Sequence, residues 1–368
     1  MSNILFQLSH PAHFHFFKNI IGNLKKDGNQ VFVLIKTKDI LEDLLVESGI
    51  EYYNILPNSH RKSKFGILFD MFVRDWRMMK FISRNKIDLL VGTTAEVAQV
   101  GWLMRKPAIN AGEDDAAIVP AFMKVAARFI QVHLAPVSCN VGSIEDRVIH
   151  YHGFQKLAYL HPSYFSPNKS VVGKYGIEAD KPFFILRFAL LKAFHDNNVH
   201  GIDKNISLKL VELLQKHGNV YLTSERPLEP ELEKYRLHIN PLDIHHIMSF
   251  ATMYIGDSQS MAVEAAMLGV PSVRFNDFVG NKKIGVMEEL EHKYGLTYGI
   301  SPSDPNNLYS KIEELLTMPN LREEFQNRRQ KMLADKIDVT AFFTWFIENY
   351  PESKRIMKEN PDYQYRFR

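Results

Sequence analysis

The sequence predicts an α/β protein of two domains, each built on a parallel sheet. Three observations lead there. Strand and helix signals alternate through both halves of the chain. A stretch rich in Pro, Tyr, Gly and Ser, Gly153–Lys181, lies between the halves. Finally, 368 residues exceed what one ordinary core accommodates.

In the first half Asn3–Leu8 reads as a strand, Phe16–Asp27 as an amphipathic helix, Gln30–Ile35 as a strand and Asp39–Ser48 as a helix. Tyr52–Ile55 is a weaker strand, and a long helical region runs on to Asn85. Asp88–Val91, Lys106–Ala111 and Ile149–Tyr151 are further strands. The second alternation opens at Phe183–Arg187 and continues through Ile206–His217, Asn219–Thr223 and Glu229–Tyr235. Strand Met253–Ile255, helix Met261–Leu268 and strand Ser272–Phe275 follow, then helical Asn306–Thr317 and Leu321–Ala334. Val339–Asn349 is helical and aromatic. The expected division is 1–152, a connection over 153–181, a second domain over 182–338, and a terminal piece over 339–368. No internal repeat or low-complexity tract competes with this reading.

Composition narrows the class. Hydrophobic content of 45% and charged content of 24% are those of a globular protein. One cysteine, Cys139, excludes an internal disulfide framework and fits a reducing compartment. The short apolar run Ile4–Leu8 has no basic start region, so it reads as a buried strand rather than a signal peptide. No stretch approaches the ~20 apolar residues that span a bilayer. A net charge of +3 gives no argument for nucleic acid. The expectation is a cytoplasmic protein.

Residues 251–275 carry the most chemistry. A strand (Ala251–Gly256) runs into a polar turn (Asp257, Ser258, Gln259, Ser260), a helix, a Gly stop and a second strand. Such a turn points backbone N–H groups outward, and the helix dipole favours a phosphate there. In an open α/β sheet these turns lie at the carboxyl ends of the strands, where ligands bind. Glu264 sits one turn into the helix. A capping box needs an acid three residues after the cap, and Asp257, Ser258 and Ser260 all miss that spacing. Its carboxylate is therefore placed to accept hydrogen bonds from sugar hydroxyls. An ordinary capped βαβ connection is the plainer alternative.

The pattern Asp257-Ser258-x-Ser260-x-x-x-Glu264-Ala265-Ala266-x-x-Gly269-Val270-Pro271 resembles the donor-site motif of GT-B glycosyltransferases and the related UDP-N-acetylglucosamine 2-epimerases. Within that superfamily the chain most resembles a group associated with bacterial surface-polysaccharide genes. Thr223–Arg226, Pro241–Ala251, Arg274–Gly280, His10–Asn19 and Ile185–Asp196 carry that likeness. The resemblance implies a GT-B-like α/β fold, two Rossmann-like domains with parallel sheets facing across a cleft. It also implies that the terminal helix packs back on the amino-terminal domain. The turn would bind a nucleotide's pyrophosphate and Glu264 its ribose. The loop Pro241–His246, with Ile244 and His245, would flank the nucleobase through backbone groups.

Arg187 ends the first strand of the second half, and a guanidinium matches phosphate oxygens bidentately; a surface ion pair is the alternative. Ser224, Glu225 and Arg226 follow another strand end, where a capped turn is an equal reading. His245 and His246 point about 100° apart on a helix and so cannot form a two-ligand metal pair. No metal is expected.

The amino-terminal half should supply the acceptor side and a general base. His10, His13 and His15 lie between the first strand and the first helix, and imidazole titrates near neutral pH. Their spacing also invites a zinc reading, or plain loop packing. Glu113, Asp114 and Asp115 follow a strand and Gly112. Three adjacent carboxylates should repel one another and titrate high if they face a closed site; a solvated turn is the alternative. The 2-epimerases carry His-Val-Glu-Ala-Gly-Leu-Arg at the comparable strand end. Ile109–Asp115 lacks the histidine, the upstream glutamate and the arginine, which disfavours epimerase chemistry. His195-Asp196 suits capping or closure better than catalysis.

Arg61–Lys86 interleaves basic and aromatic residues, a surface suited to peripheral contact with an anionic bilayer. A core-packed helix with a solvated basic face is the stronger reading. The resemblance implies a nucleotide-sugar-dependent, metal-independent glycosyltransferase acting on a glycan or lipid-linked glycan precursor in surface-polysaccharide synthesis. Its only small-molecule partner would be the nucleotide-diphosphate sugar co-substrate, without a cofactor, at the inner face of the membrane or in the cytoplasm. A sugar-nucleotide epimerase or hydrolase, and a non-catalytic nucleotide-sugar-binding protein, are the alternatives.

Overall fold

The computed structural model describes residues 1–37, 40–56, 64–189, 201–279 and 284–368, with backbone alone for 64–69. His195–Asp196, Arg61, Lys62, Asp39 and Gly280 lie outside the described residues, as do the side chains of Lys64, Phe65 and Phe69. The chain divides into two compact units: Met1–Tyr159 with Lys336–Arg368, and Leu160–Asp335. The stretch expected as a connection is thus split, Gly153–Tyr159 going to the first unit and Leu160–Lys181 to the second.

The first unit holds a seven-stranded parallel sheet. Its strands are β1 (Asn3–Leu8), β2 (Gln30–Lys36), β3 (Tyr53–Leu56), β4 (Leu89–Gly92), β5 (Ala108–Ala111), β6 (His133–Pro136) and β7 (Val148–Tyr151). The order β3-β2-β1-β4-β5-β6-β7 reverses direction between β1 and β4. Near-continuous apolar runs such as Ile4–Leu8 and Val33–Ile35 are buried on both faces, as parallel strands covered by helices must be. Helices Pro11–Lys26, Leu41–Glu47, Lys64–Arg84, Ala95–Met104 and Pro120–Ala126 cover it. The carboxyl-terminal helix Val339–Glu348 inserts Phe343 against Phe16 and Tyr151, at ring distances of 5.1 and 5.2 Å. Thr340 Oγ1 donates to Ala158 O at 2.7 Å and seats the same helix.

Two expectations shift here. The first helix starts at Pro11 rather than Phe16, because His10 caps it and proline suits its first position. Strand β6 and the helix Ala95–Met104 were not legible, the first for its brevity and closing proline, the second for its weak amphipathic pattern.

The second unit holds a five-stranded parallel sheet. It comprises β8 (Phe183–Phe188), β9 (Asn219–Ser224), β10 (Met253–Gly256), β11 (Ser272–Phe275) and β12 (Thr297–Ile300), the last not anticipated. The order β12-β11-β10-β8-β9 reverses between β8 and β10. Helix Lys204–Gln215 is capped by Asp203, whose Oδ1 accepts from Ile206 N at 2.8 Å. Glu229–Tyr235 yields only a short 3-10 turn, Glu233–Tyr235. Helix Gln259–Met267 is buried from Ala262 onward and stops at Gly269, whose φ of +69° suits glycine. At Gly256 a side chain would come within 2.7 Å of Arg187 O, so β10 and β8 can approach only with glycine there.

Candidate functional site

In a doubly wound sheet the strand reversal opens a crevice at the carboxyl ends of the two strands flanking it. In the second unit those are β8 and β10, and they bring together most of the residues singled out above. Arg187, near the end of β8, pairs with Glu225 beyond β9. The ion pair named as the alternative is present. Ser224 and Arg226 close their own turn: Ser224 Oγ accepts from Arg226 N at 3.1 Å and donates to Arg226 O at 2.7 Å. The Arg226 guanidinium lies 5.0 Å over the Phe188 ring and donates to Ile202 O.

Asp257 ties the strand ends together. Its N–H donates to Arg187 O at 3.2 Å, its Oδ1 accepts from Ala189 N at 2.6 Å, and its carbonyl accepts from Asn276 Nδ2 at 3.1 Å. Burial pushes its carboxyl up to about 6, while the Ala189 N–H and the Arg226 charge pull the other way. Asp257 is therefore a structural clasp at this corner.

Ser258 is the cap residue of the Gln259–Met267 helix, yet its side chain makes no capping bond. Its carbonyl accepts from the buried Tyr254 hydroxyl at 3.2 Å. Gln259 is half-buried and Ser260 exposed, and the helix has no acid in its first turn. Glu264 is buried behind this turn, its Oε1 3.4 Å from His245 Nε2. His245 lies in the short helix Ile244–Met248, so the expected base-flanking loop and ribose acid are in contact; Ile244 itself is half-buried.

In the first unit the reversal lies between β1 and β4. His10 Nδ1 accepts from Ala12 N at 3.1 Å, capping the Pro11–Lys26 helix. His13 lies inside that helix rather than before it; its Nδ1 accepts from Ser9 N at 3.2 Å and its Nε2 is 2.9 Å from Thr93 Oγ1. His15 turns into the core, with its ring 5.2 Å from Tyr159. His10 and His13 thus remain neighbours, their rings 5.9 Å apart, and only His15 turns away, because its place on the helix faces the core. Among the described residues no group of three or more His, Cys, Asp or Glu could hold a metal.

The carboxylates beyond β5 do not confront one another as expected. Glu113 pairs with buried Lys156, Asp115 Oδ1 accepts from Asn140 N at 2.6 Å, and Asp114 is exposed. The turn after Gly112 sends Glu113 and Asp115 to different partners. Gly112 itself lies where a side chain would come within 2.9 Å of His133. That histidine is held neutral by burial, its pKa near 4.

Sequence reasoning missed Gln7, Thr93 and Thr94 at this edge, where Gln7 and Thr94 meet Asn110, the first residue of the acidic stretch. Thr94 Oγ1 donates to Gln7 Oε1 at 2.6 Å and Asn110 Nδ2 to Thr94 O at 2.9 Å. The available signal was a polar turn directly after the apolar strand Leu89–Gly92, the same signature as at Asp257.

The Lys64–Arg84 helix packs Met78 and Ile82 into the core and buries Arg74, which pairs with Glu96. Its outer face carries Phe72 and Trp76, 69% and 52% exposed, with Lys80 Nζ 5.3 Å from the Trp76 ring. Among the described residues no helix is long and apolar enough to cross a membrane.

Two parallel-sheet units with these strand orders define the class, and solved structures share it over nearly the whole chain. An S. aureus MnaA–UDP co-structure has a TM-score of 0.69 at 14% identity, covering 96% of this chain and 98% of that one. The UDP-GlcNAc 2-epimerase of Neisseria meningitidis, bound to UDP-GlcNAc, has 0.63 at 16%, covering 90% and 99%. The spinosyn rhamnosyltransferase SpnG, complexed with thymidine diphosphate, has 0.63 at 13%, covering 95% and 100%. The fold is GT-B. Residues 2–287 match the family described as "Protein of unknown function (DUF354)", and the chain belongs to it. No curated protein matches the sequence.

Proposed function

We propose that this protein is a nucleotide-sugar-dependent, metal-independent glycosyltransferase acting on a glycan or lipid-linked glycan precursor of a surface polysaccharide. One observation carries the reading. At the strand reversal of a GT-B carboxyl-terminal sheet, a helix begins without a side-chain cap or a first-turn acid, and a buried glutamate stands one turn behind it. The Ser258–Ser260 amides suit a diphosphate and Glu264 a ribose. Arg187, near the end of β8, and Arg226, just beyond β9, stand at this edge and would turn from Glu225 and Ile202 O to supply the positive charge that other transferases take from a metal. Ser224 and Glu225 shape that turn.

The group that activates the acceptor would come from the first unit, where His10, His13, Glu113 and Asp114 stand. Peripheral contact with an anionic bilayer through the Phe72–Trp76 face would bring a lipid-linked acceptor within reach.

Glu264→Ala should weaken UDP binding about 10- to 100-fold, the worth of hydrogen bonds to a charged acceptor. Calorimetry showing unchanged affinity would refute the ribose assignment. Incubation of UDP-GlcNAc without acceptor separates the enzyme readings: a 2-epimer or free sugar would favour an epimerase or hydrolase. Binding without turnover across acceptors would favour a non-catalytic nucleotide-sugar-binding protein.

A further inference from the structure

The side chain of Arg187 leaves its strand beside the turn that begins at Ser258. A Cβ at Gly256 would come within 3.0 Å of Arg187 Cβ and within 2.7 Å of the Tyr254 hydroxyl, and that hydroxyl donates to Ser258 O at 3.2 Å. Glycine at 256 therefore lets the Arg187 stem lie against the end of β10. The partner of its guanidinium lies on the opposite side, beyond β9. There Nη2 pairs with Glu225 Oε1, while the buried Nε has no acceptor. A closed turn presents Glu225. Ser224 Oγ bonds both N and O of Arg226, and Glu225 N donates to Phe188 O at 2.9 Å.

Nε and Nη2 form one edge of a guanidinium, the edge that grips two oxygens of a carboxylate or phosphate side by side. Glu225 fills half of that edge with a single oxygen. The stranded Nε keeps the desolvation cost of a buried donor without a bond. A diphosphate has oxygens for both positions, and it can take them only by displacing Glu225 from Nη2. The carboxylate is half exposed, so water weakens its hold and receives it when it is displaced.

We infer that Glu225 is an internal competitor for the diphosphate. It holds Arg187 until a nucleotide diphosphate takes the guanidinium, and by retaking it limits how tightly the spent nucleotide is bound. The inference rests on the reading of Arg187 as a phosphate ligand.

UDP, titrated calorimetrically into the full chain and its variants, tests this. Glu225→Gln keeps the shape and removes the charge, and it should bind UDP about 3- to 10-fold more tightly than wild type. Arg187→Ala should bind UDP at least about 10-fold more weakly. Adding Glu225→Gln to Arg187→Ala should change that weakened affinity by less than about twofold, because the competition passes through the guanidinium. Any other contact of Glu225, or its charge acting on the phosphates directly, would still show in the double variant. A gain kept there overturns the inference. An affinity unchanged or lowered by Glu225→Gln, with Arg187→Ala still weak, overturns it while leaving the phosphate reading of Arg187 in place. Full affinity in Arg187→Ala would remove that reading and the inference together, as would the absence of UDP binding in all four chains. Should Arg187→Ala fail to fold, Arg187→Gln carries the same comparison, because it is neutral and lacks the two-pronged edge.

Discussion

The two sheets reverse at equivalent points, and the helices that leave those points differ in their first turn. After β4 comes Ala95–Met104, with Thr94 at the cap and Glu96 second in the helix. After β10 comes Gln259–Met267, with Ser258 at the cap and Ser260 second. Neither cap side chain bonds its own helix. In the first unit Glu96 places a carboxylate at the positive end of the helix, and Arg74 pairs with it. In the second unit that place holds no acid, and the buried carboxylate stands a turn further along, at Glu264. One helix start carries an acid of the protein's own; the other, without one, is where the diphosphate is proposed to sit.

Exchanging the two residues should break the contrast. Ser260→Glu places a carboxylate where the diphosphate is proposed to sit. It should lower UDP affinity at least about 100-fold with stability held or slightly raised, because an acid there suits the helix dipole. Retained affinity would remove the phosphate from that turn. The reciprocal Glu96→Ser leaves Arg74 buried without its main partner. Chemical unfolding should show a loss of about 2–4 kcal/mol, short of the full cost because Asp75 Oδ1 lies 3.6 Å from Arg74 Nε. A neutral outcome would mean that Arg74 is satisfied elsewhere.

A smaller effect sharpens the comparison by pH. Asp257 titrates near 6, above its ordinary 3.8, chiefly because of burial. The folded chain therefore holds this proton more tightly than the unfolded chain does. The stability it contributes is present below about pH 4 and lost as pH rises through about 6. Relative to Asp257→Asn, wild type should lose about 1–3 kcal/mol across that window. Unfolding curves that stay parallel would argue against a desolvated carboxyl at this corner. The smallest effect on the fold belongs to the outer aromatic face. Replacing Phe72 and Trp76 by Ser should change stability by less than about 0.5 kcal/mol. The same double variant should sediment less with phosphatidylglycerol vesicles; equal sedimentation would discard the bilayer contact.

Much of the second unit was legible because its signals are local. Strand, polar turn, helix and glycine stop fall within Ala251–Phe275, and each is a short-range property of the chain. The same holds for strands β1, β2, β8 and β9, whose apolar runs are uninterrupted. The candidate site in the first unit was harder to read. His10, His13 and His15 looked like one loop cluster, yet the cap at His10 draws the helix forward, so His10 and His13 stay side by side while His15 turns into the core. Glu113 and Asp115 looked like one cluster, yet their partners, Lys156 and Asn140, come from later in the chain.

Alternation of strand and helix, the reach of the apolar runs, and the polar turn before Met261 were determined by sequence alone, since each depends on neighbours within a few residues. The order of the strands, the pairing of Lys156 with Glu113, and the meeting of His245 with Glu264 were decided only by tertiary structure. Those contacts join residues far apart in the chain, and burial, which makes each charged group need its partner, exists only once the sheets have formed.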